Sequence, residues 1–390
     1  MSYHPIIQGL HYQTGQPVQI KIKDGWILSV DPLNPSEKLK DELPWVGPGL
    51  IDLQLNGFQG MDFNALPIPS GMVGKMPRLL WKEGITSYYP TVITNSEQAI
   101  EEAVGAIARE CAEDSVSQEA VAGIHLEGPF ISPEDGARGA HPQAFVKPPD
   151  WELFERWQEA AQGRIRIITL SPEWPEVEIF IRRCVETGVI VSIGHTAATA
   201  EQISRAVEAG ASMSTHFGNG AHSMLPRHPN YLWEQLANDK LWASLIADGY
   251  HLPDSVLKVA MKVKGERAIL VSDAVMLSGM PAGIYNLHIG GKVELTPLGR
   301  LQLADNPQLL AGSAQMLLWG IFHLVKYDLC SLGEAWDMAS TRPATKMGLP
   351  AKAGLRIGAP ADLTLLKLDY EKAHVVGTYK NGNQVFDSIS

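Results

Sequence analysis

Two patterns of apolar and polar positions divide the chain. Near its start, Pro17-Val18-Gln19-Ile20-Lys21-Ile22-Lys23 alternates with a period of two, which predicts a strand with one buried face. Asp24-Gly25 supplies a hairpin turn, and Trp26-Ile27-Leu28-Ser29-Val30 returns. The end of the chain behaves alike, with Ala361 to Leu366, His374 to Tyr379, the turn pair Asn381-Gly382 and then Gln384-Val385-Phe386. From about Pro48 to Gly348 the pattern becomes short apolar run, loop, amphipathic stretch, repeated. The runs predict strands over Gly49–Leu55, Thr86–Val92, Val121–Leu126, Arg166–Leu170, Val189–Ile193, Ser212–Thr215, Trp242–Ala247 and Ala268–Val271. Helices are expected between them, over Gly71–Glu83, Ser96–Cys111, Trp151–Gln162, Pro175–Thr187, Thr199–Ala209, Leu232–Asp239 and Pro253–Lys264.

Eight apolar strands alternating with helices predict an α/β fold of the (β/α)8 TIM-barrel type. An open doubly wound sheet is the alternative, but no GxGxxG turn follows the first strand. The expected organisation is a barrel over 48–347 and a small β-sandwich domain built from both termini, 1–47 and 348–390. Pro281 to Leu303 reads as an inserted β excursion before a last barrel helix, Ser313 to Tyr327.

Composition narrows the functional classes. The chain has 390 residues, 45% hydrophobic and 19% charged, enough for a barrel of about 250 residues and a smaller companion. A formal charge of -11 argues against a nucleic-acid groove or an anionic membrane surface. Local cations can still receive a small anion. No run reaches the roughly 18 apolar residues of a membrane helix. Met1 to Gly15 has polar residues throughout and no apolar core of signal-peptide length. The three cysteines, Cys111, Cys184 and Cys330, are too scattered for a disulfide framework, and each is expected buried in a helix. The cytoplasm is the expected location.

The strand ends carry the candidate chemistry. Glu127 closes the third strand before Gly128-Pro129, His195 the fifth, His216 the sixth and Asp273 the eighth. Barrel strands point their carboxyl ends at one mouth, so these side chains are expected to converge. A carboxylate and two imidazoles make a three-ligand zinc site with a fourth position for water, whose pKa then falls to about 7. Asp273 is the natural acid/base, taking the water's proton and returning it to the leaving group. The same donors also suit ferrous iron.

Pro48-Gly49-Leu50-Ile51-Asp52, His125-Leu126-Glu127-Gly128-Pro129, Gly194-His195-Thr196 and Leu310-Ala311-Gly312-Ser313 resemble the amidohydrolase superfamily. More narrowly they resemble its N-acetylglucosamine-6-phosphate deacetylases, over nearly the whole chain. The resemblance implies that Glu127, His195 and His216 hold a divalent metal and that Asp273 is the acid/base. It also implies substrate contacts from His141, Asn219, Gly220, Arg227 and His251. Arg227 and His251 would hold the 6-phosphate, with Arg227 reaching in from the neighbouring subunit of a homodimer. Gln54-Leu55-Asn56 stands where most amidohydrolases have His-x-His for a second metal. Neutral amides are poor zinc ligands, so one metal per chain is expected.

The chain departs from this family after the sixth strand. It reads His216-Phe217-Gly218-Asn219-Gly220-Ala221-His222, and His228 stands where an acidic residue is usual. His222 and His228 are open to three readings: charge beside a phosphate, a reshaped pocket, or solvent-facing side chains. The alternatives to deacetylation are another amidohydrolase reaction on a different N-acyl or cyclic amide substrate, and a non-catalytic barrel scaffold. Trp151 and Trp157 are expected in the core, and Trp233 and Trp242 at a subunit contact.

Overall fold

The computed structural model describes residues 5–287 and 291–388, so Met1–His4 of the polar start lie outside it. Eight parallel strands form one sheet: β1 (Leu50–Leu55), β2 (Ile85–Ile93), β3 (Ile124–Glu127), β4 (Ile165–Leu170), β5 (Ile190–Ile193), β6 (Met213–Ser214), β7 (Trp242–Leu245) and β8 (Ala268–Leu270). They are hydrogen-bonded in sequence order from β1 to β8. A parallel bridge between Leu55 and Ala274, with Asp273 N–H donating to the Gln54 carbonyl at 3.0 Å, brings the two edges together. This is a (β/α)8 barrel.

Every expected strand is present, with shifted ends. The largest shift is at β3, which starts at Ile124 because an unexpected helix, Ser115–Ala120, occupies the chain just before it. Asp114 caps that helix through Ser117 N–H at 2.8 Å. The intervening helices follow the periodicity of their apolar residues. Ala200–Ala209 is representative: Thr199 and Gln202 form a capping box, Gly210 closes the end at φ 118°, and Ile203, Ala206 and Val207 are buried. A cap of this kind contributes about 1 kcal/mol, and each large apolar side chain turned inward about 1.5–3 kcal/mol.

The barrel interior is not wholly apolar. His125 Nδ1 lies 3.1 Å from the Leu53 carbonyl, and its Nε2 lies 2.7 Å from Thr169 Oγ1. Thr169 continues to Thr215 at 2.7 Å and Thr215 to Ser192 at 2.6 Å. Such a chain satisfies each buried group in turn, where an unpaired one would cost about 1–3 kcal/mol. Burial lowers the His125 pKa to about 4, so the ring is neutral.

After β8 the expected excursion is a four-stranded antiparallel sheet, Gly283–Leu287, Gly291–Leu295, Leu301–Leu303 and Asn306–Leu310. Its small core comprises Leu277, Val293, Leu295, Leu301 and Ala314. Leu53–Gly74 and Tyr89–Gln315 make one compact unit, which contains all of this sheet and most of the barrel.

The small β-sandwich domain joins both termini in one seven-stranded sheet. Trp45–Pro48 pairs parallel with Ile6–His11 on one side and antiparallel with Leu363–Leu368 on the other. The expected hairpin is Pro17–Lys23 with Trp26–Pro32, and Asp24 and Gly25 take φ 52° and 82° at its turn. Lys380 and Asp362 form a buried ion pair at 2.7 Å. One expectation is corrected: Cys111 and Cys184 are buried in helices, but Cys330 is half-buried in a bend between helices, where Ser331 must cap the next one. Trp157 is fully buried, whereas Trp233 is 53% exposed.

Candidate active site

Three of the four strand-end residues singled out by the sequence lie in a backbone region that side chains seldom adopt. His195, His216 and Asp273 have φ of 47°, 26° and 48°. Left-handed backbone at a non-glycine residue costs of order 1–3 kcal/mol, so it persists only where neighbours over-determine it. They do so here. The His195 carbonyl accepts from Ser132 N–H at 2.8 Å, His216 N–H donates to Ser244 Oγ at 2.8 Å, and Asp273 N–H donates to the Gln54 carbonyl. The chain therefore turns just past the ends of β5, β6 and β8 and delivers these three side chains to the cavity.

The side chains meet in a cavity of about 410 Å³, an ordinary size for a small-molecule site. Glu127, His141, His195, His216, Asn219, Gly220, His251 and Asp273 all line it. Arg227 does not: it stands exposed on the loop after β6. No lysine or arginine is among the described residues that line the cavity.

At the centre, His216 Nε2 lies 2.9 Å from Glu127 Oε1 and 3.0 Å from His195 Nε2, and His195 Nε2 lies 3.3 Å from the same Glu127 oxygen. All three are nearly inaccessible to solvent. His195 Nδ1 faces the Ala137 carbonyl at 3.1 Å, which fixes its proton there and leaves Nε2 with a lone pair. Two imidazole nitrogens and a carboxylate oxygen so close together form a set of lone pairs suited to a divalent cation. His141 is also near, its Nε2 3.3 Å from His195 Nε2, and Glu127, His141 and His195 have donor atoms within 4.8 Å of one another. Distance alone therefore admits either His141 or His216 as the second imidazole.

Burial works against ionisation of Glu127, but contact with the His195 and His216 rings outweighs it and holds the carboxyl well below its ordinary range. Burial likewise opposes a charge on His216, yet Glu127 and then Asp273 raise its pKa to about 9. Burial and the Glu127 charge push Asp273 up to about 6. Burial and the neighbouring His195 bring His141 down to about 3.

Gln54 and Asn56 explain why the first strand ends without imidazoles. Gln54 Nε2 donates to Glu127 Oε1 and to Asp273 Oδ1, both at 3.1 Å, and Asn56 Nδ2 donates to Asp273 Oδ1 at 2.7 Å. Amide N–H groups thus bridge the two carboxylates, a task that a cation would otherwise perform. His251 is anchored separately: buried Asp248 accepts from Tyr250 N–H, His251 N–H and His251 Nδ1 at 2.8, 2.9 and 2.7 Å. Within the altered loop, His222 lies 3.0 Å from the Tyr231 hydroxyl and 3.3 Å from Glu134, and His228 is exposed. Thr94, absent from the sequence reading, lies 2.8 Å from His141 Nδ1. A threonine near a strand end carries no signal that would have marked it.

A (β/α)8 barrel with a buried carboxylate and imidazoles at its strand ends defines a hydrolase barrel of the cation-assisted kind. The Amidohydrolase family model matches residues 45–386. N-acetylglucosamine-6-phosphate deacetylase of Bacillus subtilis is 34% identical over 95% of this chain and 93% of its own. The human protein of that name is 32% identical over 88% of this chain and 84% of its own. Among solved structures, N-acetyl-D-glucosamine-6-phosphate deacetylase from Mycobacterium smegmatis, a point mutant in complex with N-acetyl-D-glucosamine-6-phosphate, superposes with a TM-score of 0.84 and 26% identity, covering 98% of this chain and all of that one. The chain belongs to the amidohydrolase family and, within it, to the N-acetylglucosamine-6-phosphate deacetylases.

Proposed function

We propose that this chain hydrolyses the acetamide of N-acetylglucosamine 6-phosphate, releasing acetate and glucosamine 6-phosphate. Glu127, His195 and His216 hold one divalent cation, with zinc the expected metal and ferrous iron compatible with the same donors. When bound, the cation supplies Lewis acidity and lowers the pKa of water beside it. Asp273 accepts a proton from the attacking water as the C–O bond forms. It gives that proton to the sugar nitrogen as the C–N bond breaks. His141 stands beside the amide oxygen, Asn219 and Gly220 contact the sugar, and His251 faces the phosphate.

The observation that carries this reading is the convergence of one carboxylate oxygen and two imidazole nitrogens within 3.3 Å, beside Asp273, whose pKa is raised to about 6. The Gln54 bridge supports a single metal. We further propose domain limits at 1–47, 48–347 and 348–390, and a cytoplasmic homodimer. Free cysteines fit a reducing compartment, and no described helix is long and apolar enough to cross a membrane. Arg227, outside its own cavity, fits a residue supplied to the neighbouring chain.

A second reading, an amidohydrolase acting on an unphosphorylated amide, is favoured by one observation: the cavity has no lysine or arginine in its described lining. Acetate release by the zinc-loaded protein from N-acetylglucosamine 6-phosphate and from N-acetylglucosamine separates the two. Strong preference for the phosphate supports the first reading, and activity on neither substrate overturns it.

A further inference from the structure

Glu173 stands half-buried just past β4 and is not among the residues that line the cavity. Its carboxylate nevertheless reaches both sides of the left-handed turn at His195. Oε1 accepts from the Ser132 hydroxyl at 2.9 Å, and Oε2 accepts from the Ser171 hydroxyl at 2.7 Å and Ala197 N–H at 2.9 Å. Ser132 follows β3, and its own N–H donates to the His195 carbonyl at 2.8 Å. Ala197 lies two residues beyond His195, and upstream Gly194 N–H donates to the Leu170 carbonyl at 3.2 Å. The hydroxyl protons can be assigned. A carboxylate only accepts, so Ser132 and Ser171 each give their one proton to Glu173. Ser132 Oγ then accepts from Glu134 N–H at 3.2 Å. Thr196 Oγ1, 2.8 Å from Ser171 Oγ, must donate to it, and accepts from Ala198 N–H at 3.0 Å. All these donors lead, directly or through a hydroxyl, to one carboxylate.

We propose that Glu173 is a positioning residue for the metal centre. Its carboxylate locks the loops after β3, β4 and β5 around the His195 carbonyl and so keeps the turn that presents this imidazole to the cation. A left-handed turn at a non-glycine residue relaxes unless its neighbours hold it, and Glu173 gathers the neighbours that do. The proposal rests on the reading of His195 as a metal donor, and it holds whichever of His141 and His216 is the second imidazole. Glu173 acts through the backbone on either side of His195 and not through the ring. Loss of such a supporting partner lowers metal affinity by about 10–100-fold, although the residue never touches the ion.

Glu173→Ala removes all three acceptor contacts, whereas Glu173→Gln keeps a carbonyl for Ala197 N–H and the Ser171 hydroxyl. Zinc affinity of the full-length protein, read by competition with a chelator, is expected to fall about 10–100-fold in Glu173→Ala and by less in Glu173→Gln. Ser132→Ala, which breaks one of the three contacts, should weaken zinc binding by itself and add little once Glu173→Ala is present. In crystals of metal-free Glu173→Ala, His195 is expected to leave the left-handed region while Glu127 and His216 keep their places. A purely structural role would lower stability to denaturant and leave the zinc affinity of the folded chain unchanged. Unchanged affinity in Glu173→Ala, or a His195 turn that persists in it, would each overturn the proposal. Should Glu173→Ala fail to fold, unchanged affinity in both Glu173→Gln and Ser132→Ala would do the same. A wild type that binds no zinc would instead sink the metal reading, while the crystals still decide whether Glu173 holds the turn.

Discussion

The strand-end cluster and the loop that follows it, Phe217 to Asn230, lie side by side but are built on opposite terms. In the cluster Glu127, His195 and His216 are buried and Asp273 is half-buried, and the four are tied to four different strands through backbone and side-chain contacts. The loop has few such ties. Ser223, Met224 and Pro226 to Pro229 are exposed, Met224 by 87%, and Asn230 secures the far end by capping the helix Tyr231–Ala237. Gly220 marks the boundary, because a Cβ there would meet His195 Nδ1 at 2.5 Å. Under the proposed function, rigid strand ends fix what reaction is run, and an exposed loop, free to change without disturbing them, decides what is admitted.

The comparison predicts a gradient of effects. Asp273→Asn removes the proposed acid/base and should lower kcat/KM by about 10²–10⁴-fold, with zinc content retained. Chelation should abolish activity, and added metal should restore it. Zinc lost with Asp273→Asn would mean that the cluster is less divided in its roles than argued. Next comes Arg227→Ala. A charge-assisted contact of roughly 1.5–3 kcal/mol predicts a KM increase of about 10–150-fold for the phosphorylated substrate, and little change for N-acetylglucosamine. An equal effect on both substrates would take Arg227 out of phosphate binding.

The pH profile sharpens the cluster side. Asp273 must be ionised to accept a proton, and burial with the Glu127 charge sets it near 6. A divalent cation favours the carboxylate, so the acid limb of kcat/KM should lie at or below that value. Activity should then fall about tenfold per unit beneath it. An acid limb above 7 would assign that ionisation to another group. The smallest effect is expected on the loop: His228→Asn should change stability by no more than about 0.5 kcal/mol, read from denaturant unfolding.

The fold was legible because the barrel strands are short, apolar and punctuated. Gly128-Pro129, Gly194 and the polar residues after each run marked where the strands stop. The helix Ser115–Ala120 was missed because one and a half turns carry no periodicity. Glu127, His195, His216 and Asp273 were legible as ionisable residues at strand ends, a place where burial makes them costly unless used. Gln54 was read correctly as a poor ligand, but its double donation to Glu127 and Asp273 needs the geometry of three strands at once. Thr94 was invisible for a plainer reason: threonine is at home in any strand, and only the His141 ring beside it sets it apart.

The left-handed turns at His195, His216 and Asp273 set evolution of this barrel against its own durability. Glycine is the residue that those three backbones would accept most readily. A selection for heat resistance alone, blind to turnover, would therefore drift toward glycine at the very places where the imidazoles and the carboxylate stand. Hardened variants of this protein should be sought on its outer helices, and any that arise at the mouth should be inert.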